Sequence, residues 1–196
     1  PHFQDLQVLD MGGGFKVPYQ ANEKGTDIPL LAKKVGEVLN KFETTYGKKF
    51  QVWFEPGKYL VSECGYLITS VNVIKETPSV LFAGINSGFN HLIRPMFYEA
   101  YHPIRNISNP NGPLKNYAVT GNICETDNFA WDRPINEIRE NDLLVIDNAG
   151  AYGFEMGSNY NSRFLPAQLL YKEGEMHLIR KRDTMEDILK NQIELN

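Results

Sequence analysis

The sequence predicts an α/β segment followed by an all-β domain, on three observations. Residues 6–55 run strand, loop, helix, strand, the order of a βαβ unit in a parallel sheet or barrel. After Gly57 the texture changes to short apolar runs punctuated by turn-formers, the pattern of an antiparallel sandwich or barrel. The length of 196 residues allows a sizeable core, yet it is short of the roughly 250 residues of a complete (β/α)8 barrel. The change of pattern near Val61 divides the chain into 1–61 and 62–196, and no flexible linker marks the join.

The first strand is Leu6-Gln7-Val8-Leu9, which leads into Gly12-Gly13-Gly14. Asp27 is placed to cap a helix whose first turn accepts Pro29. Ile28, Leu31, Val35, Val38, Leu39, Phe42 and Tyr46 recur at helical spacing, and Gly47 supplies the stop. A strand over 50–55 completes the unit. Further strands are expected over 59–61, 66–74, 80–85, 117–124, 143–147 and 176–180. Residues 92–101, with Pro95 early, are expected to hold a short helix, and 184–193 a closing one. The chain starts at Pro1 without methionine and enters a strand almost at once, so a fragment or processed chain is expected.

Bulk properties narrow the function. A formal charge of -4, spread along the chain, offers no basic face for nucleic acid or an anionic membrane. The longest apolar runs, such as 143–146, fall far below the ~20 residues of a spanning helix. Two cysteines, Cys64 and Cys124, fit a reduced, cytoplasmic setting. The histidines His2, His91, His102 and His177 show no metal-ligand spacing, so no metal is expected.

Six segments bear on the chemistry. Three glycines after a strand let the backbone approach an anion closely, although glycines alone favour a plain turn. Glu55-Pro56-Gly57-Lys58 stands where a parallel strand ends, the edge at which such folds build sites. Its carboxylate reads as a buried partner for a protonated ring nitrogen or, equally, as a surface residue before a turn. Cys124, followed by Glu125 and Asp127, suits an acid that returns a proton to carbon, or else a core cysteine. Arg94 and Tyr98, four apart, would share a carboxylate ligand if helical. Ala149-Gly150-Ala151-Tyr152-Gly153 and Asn159-Tyr160-Asn161-Ser162-Arg163 form a small-residue loop and a polar one.

Together with 91–102, these segments closely resemble the diaminopimelate decarboxylases, a family of fold-type III pyridoxal-phosphate enzymes of bacterial lysine synthesis. They occur in the family's order and span most of the chain. The resemblance implies a fold made of the last strands of a (β/α)8 barrel followed by a C-terminal antiparallel β-domain, with active sites shared across a homodimer. It implies that Gly13, Gly14, Gly57 and Lys58 by backbone, and Tyr152 by hydroxyl, hold the phosphate of pyridoxal 5'-phosphate, and that Glu55 pairs with its pyridine nitrogen. Cys124 is then the proton donor to the opposite subunit's site. Lys58, Arg94, Tyr98 and Glu125 bind meso-2,6-diaminopimelate, which is decarboxylated to L-lysine and CO2.

The chain departs from the family at Lys58, where arginine is usual and makes a planar two-point contact that lysine cannot. Leu165 and Gln168 likewise replace a common arginine and glutamate. The family's Schiff-base lysine lies in an earlier barrel segment, in a Tyr-Ala-x-Lys-Ala-Asn context found nowhere here, so the chain is expected to be inactive alone. Two alternatives stand beside this reading: a related decarboxylase of polyamine synthesis acting on ornithine, arginine or carboxynorspermidine, and a non-catalytic dimerising module.

Overall fold

A computed structural model of the chain describes residue 3 and residues 5–195. His2 lies outside them. Strand β1 (Val8–Asp10) leads through the glycines and a long loop into helix α1 (Ile28–Tyr46), and β2 (Gln51–Trp53) pairs parallel to β1 in the register Val8↔Gln51. The helix starts where expected because the Asp27 carboxylate accepts the Leu30 N–H at 2.9 Å. It stops at Gly47, whose φ of 79° suits a left-handed cap and whose N–H returns to the Glu43 carbonyl. None of its residues is buried; Ile28, Val38 and Phe42 of its apolar stripe are exposed among the described residues.

Residues 59–61, read as a strand, instead lie in the one-turn helix α2 (Gly57–Val61). Pro56 presets the backbone for a turn there, and the Ser62 N–H closes it on the Lys58 carbonyl, which overrides the β preference of Tyr59 and Val61. A 3-10 turn over Ser62–Cys64 follows.

The remainder is a mixed sheet built from β3 (Leu67–Glu76), β4 (Leu81–Ile85), β5 (Ile104–Asn106), β6 (Leu114–Thr120), β7 (Asn128–Asn136) and β8 (Leu143–Ile146), with α3 (Arg94–Tyr98) in the long link after β4. The order is β5-β8-β3-β4-β6-β7. All pairs are antiparallel except β4 with β6, so the expected antiparallel domain contains one parallel junction. The 28 residues between β4 and β6 give the chain length to cross over and pair parallel.

The outer strands β5 and β7 approach each other and nearly close the sheet into a barrel. Side chains bind this seam. Arg133 of β7 donates to the His102 carbonyl at 2.7 Å, and Asn106 of β5 donates to the Glu137 carbonyl at 2.8 Å. The core inside contains Val71, Ile85, Leu92, Tyr117, Val119, Phe129, Leu144 and Ile146, and the Tyr117 hydroxyl accepts the Ile138 N–H rather than standing unsatisfied.

Strand β6 ends at Thr120, short of the expected Cys124, because Gly121 folds back to donate its N–H to the Asp127 carbonyl. A hairpin of β9 (Gln168–Lys172) and β10 (Glu175–Arg180) turns at Glu173-Gly174, where both residues take positive φ. The last helix, α4 (Met185–Leu189), is shorter than the 184–193 expected and begins with a capping box between Thr184 and Asp187.

Candidate active site

The glycine bend is fastened to the end of β2. Past the paired strands, the Met11 N–H bonds the Trp53 carbonyl and the Glu55 N–H bonds the Gly12 carbonyl, each at 2.9 Å. A Cβ on Gly13 would stand 2.4 Å from the Glu55 carbonyl oxygen, so only glycine permits this approach. Gly12 and Gly14 have φ of 69° and 82°, which turn the chain sharply at the strand's end.

The small-residue loop after β8 reaches the same place from the sheet domain. Ala149 and Gly150 donate their N–H groups to the Gly65 and Ser62 carbonyls at 2.8 and 3.1 Å. At the crossing, a Cβ on Gly150 would lie 1.9 Å from the Val61 carbonyl oxygen. This crossing aims Tyr152, itself left-handed at φ 57°, at Gly57, whose own Cβ would meet the Tyr152 hydroxyl at 2.3 Å.

The result is one open hollow of about 390 Å³, lined by Gly13, Gly14, Phe15, Glu55, Pro56, Gly57, Lys58, Tyr59, Arg94 and Tyr152. All six residues assigned to a cofactor on the sequence lie on its wall, with Arg94 beside them. Glu55, read on the sequence either as a buried ring partner or as a surface residue, is exposed and faces the hollow.

Arg94 stands at the start of α3, which Pro95 initiates and the left-handed Glu99 ends. It is only 9% exposed. Its guanidinium carbon lies 6.0 Å from the Tyr19 ring centre, 5.7 Å from that of Tyr98 and 6.0 Å from that of Tyr152. Tyr98 does not line the hollow but flanks Arg94 on its own helix.

Cys124 and Glu125 do not line this hollow. Cys124 is a free, exposed cysteine, not a core one. The buried Asp127 shapes its loop, accepting the Phe89 N–H at 2.8 Å and the Ile123 N–H at 3.0 Å. Burial pushes the Asp127 carboxyl up, against the pull of those two bonds. The polar loop over 159–163 clasps the same turn. Asn161, left-handed at φ 54°, donates to the Cys124 Sγ at 3.6 Å, and the Tyr160 hydroxyl donates to Glu125 Oε1 at 3.0 Å. Hydrogen bonding to Glu125 raises the Tyr160 hydroxyl above its ordinary value.

Two residues of this neighbourhood went unassigned on the sequence. Tyr19 packs edge-on against His102 with ring centres 5.4 Å apart, 83 positions away along the chain. His102 is fully buried, and its Nδ1 bonds the Asp147 carbonyl at 2.9 Å. No sequence signal announces so distant a pair. Burial, aided by the charges of Arg94 and Arg133, lowers the His102 pKa from 6.5 to about 4 and outweighs the bond to Asp147.

Below about 6.5 the unfolded chain therefore takes up a proton that the folded one refuses, and stability falls as pH drops towards 4. The full loss is about 3 kcal/mol. His102→Asn, which keeps a donor for the Asp147 carbonyl, is expected to flatten this part of the stability profile in denaturant titrations at pH 4.5, 5.5 and 7.

Among the described residues no cluster of three or more His, Cys, Asp or Glu side chains could hold a metal ion, and no helix is long and apolar enough to cross a membrane.

Comparison with known proteins places this geometry in a family. Residues 3–62 match the pyridoxal-dependent decarboxylase pyridoxal binding domain, and residues 58–150 match the C-terminal sheet domain of the same enzymes. The diaminopimelate decarboxylase of Methanothermobacter thermautotrophicus is 42% identical over 96% of this chain and 44% of its own length. A crystal structure of the diaminopimelate decarboxylase of M. jannaschii superposes with a TM-score of 0.90 at 33% identity, over 96% of this chain and 43% of that one. The Helicobacter pylori enzyme complexed with L-lysine superposes at 0.83 and 33% identity, over 95% of this chain and 44% of that one. The chain spans about 44% of the length of such relatives. With both domain descriptions matched in order over 3–150, and with the glycine bend, Glu55 and Tyr152 on one hollow, the chain belongs to the pyridoxal-dependent decarboxylase family.

Proposed function

We propose that this chain forms the C-terminal part of a diaminopimelate decarboxylase that converts meso-2,6-diaminopimelate to L-lysine and CO2. The observation that carries the proposal is the gathering of Gly13, Gly14, Glu55, Gly57, Lys58, Tyr152 and Arg94 on one hollow of about 390 Å³. The hollow fits pyridoxal 5'-phosphate: only glycine at 57 lets the Tyr152 hydroxyl come this close to the backbone, and a hydroxyl, an ammonium and a carboxylate share the wall. Bound there, the cofactor supplies an electron sink for the pair left when the bond to the carboxylate breaks.

The chain's own residues bind and orient. The backbone at Gly13, Gly14, Gly57 and Lys58, with the Tyr152 hydroxyl, holds phosphate, and Glu55 balances a protonated pyridine nitrogen. Arg94 and Lys58 take the substrate's carboxylate groups, Arg94 that of the unreactive end, with Tyr98 beside it. Glu125 takes the distal ammonium. Cys124 Sγ holds the proton that replaces the lost carboxyl group on carbon. Because Cys124 and Glu125 stand apart from this chain's hollow, we assign them to the hollow of a second copy, which makes the enzyme a homodimer. The domains divide at 61/62, and the open apolar stripe of α1 packs against the rest of the barrel. Two free, exposed cysteines fit a cytoplasmic enzyme.

The test uses the complete polypeptide that contains this chain, assayed for CO2 release from meso-diaminopimelate, L-ornithine and L-arginine. Turnover of diaminopimelate alone is expected. Ornithine or arginine turnover without it would assign the protein to polyamine synthesis, and no turnover of any would leave a dimerising module.

A further inference from the structure

Arg94 is a nearly buried cation without an acid to neutralise it: among the described residues no carboxylate pairs with it, and its Nε is buried without a partner. Such a charge is costly unless its surroundings are built for it or a ligand completes it. What surrounds it is aromatic, and one ring differs from the others. Tyr98 shares its helix and Tyr152 has the hollow's wall, but Tyr19 comes from a distant segment, the loop between β1 and α1. It is the ring among the three that also donates or accepts toward Arg94, its hydroxyl receiving the Nη2–H at 3.4 Å. The Lys58 ammonium lies 5.8 Å from the centre of the same ring, so Tyr19 is common to the two cations assigned to substrate carboxylates.

Tyr19 is itself fixed in place. Val17, two positions before it, is 1% exposed, and the Pro18 carbonyl accepts the Asn148 Nδ2–H at 3.2 Å, tying this loop to the sheet domain. Behind the ring stands His102, held by the Asp147 carbonyl of the strand end next to Asn148. A flexible arginine loses its side-chain freedom when it grips a ligand, and a site that has already ordered it binds more tightly.

We propose that Tyr19, braced by His102, is a positioning residue that holds the Arg94 guanidinium ready for a ligand carboxylate and so contributes to selecting substrates that carry one at the unreactive end. This inference rests on the assignment of Arg94 under the proposed function and extends it to a residue that does not line the hollow.

The test compares, on the complete enzyme by calorimetry, two diamines with the same five-carbon chain between their nitrogens: L-lysine, which also carries the carboxylate, and cadaverine, which lacks it. Tyr19→Leu is expected to weaken L-lysine about tenfold, and Tyr19→Phe, which keeps the ring and loses the hydroxyl, about two- to fivefold. Cadaverine affinity is expected to stay unchanged in both. In an Arg94→Ala background, Tyr19→Leu should have no further effect on L-lysine, because there is no guanidinium left to hold. Unchanged L-lysine affinity in Tyr19→Phe overturns the proposal, whether or not Tyr19→Leu folds. Equal weakening of cadaverine, or a full effect without Arg94, also overturns it and leaves Tyr19 a packing residue. If Arg94→Ala alone leaves L-lysine affinity intact, the assignment of Arg94 has failed instead, a result distinct from the others.

Discussion

Cys124→Ala in the complete enzyme is expected to lower kcat by about 10²- to 10⁴-fold, or about 3–5 kcal/mol of barrier, while leaving affinity for L-lysine and cofactor near wild type. In its proposed role Cys124 supplies a proton needed only after the carboxylate has departed, so the cost of the substitution falls on a step and not on binding. The fold should tolerate it. Cys124 is exposed, and its loop is held by Asp127 through the Phe89 and Ile123 N–H groups, none of which involves the thiol. A kcat within threefold of wild type would remove Cys124 from the chemistry. The placement across two copies has its own check. Glu55→Ala and Cys124→Ala are each expected to be nearly inactive, yet mixing and re-equilibrating the two should restore activity by creating one intact site per mixed dimer. If both parts of a site come from the same copy, mixing restores nothing.

Gly150→Ala is expected to destabilise the protein by about 3 kcal/mol, the upper end of overpacking costs, and to lower cofactor affinity with it. The added methyl would stand 1.9 Å from the Val61 carbonyl oxygen and 2.8 Å from the Gly65 nitrogen. Both obstacles are backbone, so no side chain can swing aside. The crossing must open, which strains the bonds from Ala149 to Gly65 and from Gly150 to Ser62 and withdraws Tyr152 from Gly57. Gly14→Ala is the informative contrast: nothing lies within 4 Å of its Cβ, and only its φ of 82° opposes the substitution. Thermal melts of the two variants, with and without cofactor, check this. A Gly150→Ala protein that melts like wild type would mean that the crossing is looser than described.

How much of this was legible in the sequence depends on distance along the chain. The wall of the hollow was readable because its parts sit at strand ends and in turns, where glycine and proline announce backbone shape locally: Gly13 beside Glu55, and Gly150 under Gly65. Helix α1 was readable from its cap, period and stop. Strand β7 was not, since Asp132 and Pro134 interrupt its alternation, and they are tolerated because β7 ends the row of strands. Strand β5, three residues long, carries too little pattern to register. The exposure of Cys124 was hidden because the residues that turn its loop outward lie on other segments, near Phe89 and Asn161. Tyr19 and His102 were illegible for the same reason, being neighbours only once the two parts of the chain have docked.

The seam between β5 and β7 bears on how two copies can meet. An open sheet ends in rows of unpaired backbone groups, a template on which a neighbouring molecule can add strands without limit. Here Arg133 and Asn106 tie those margins to each other through the His102 and Glu137 carbonyls, which hinders the approach of a foreign strand there. The pair of copies proposed above would then meet through side-chain surfaces and not by adding strand to strand at this seam.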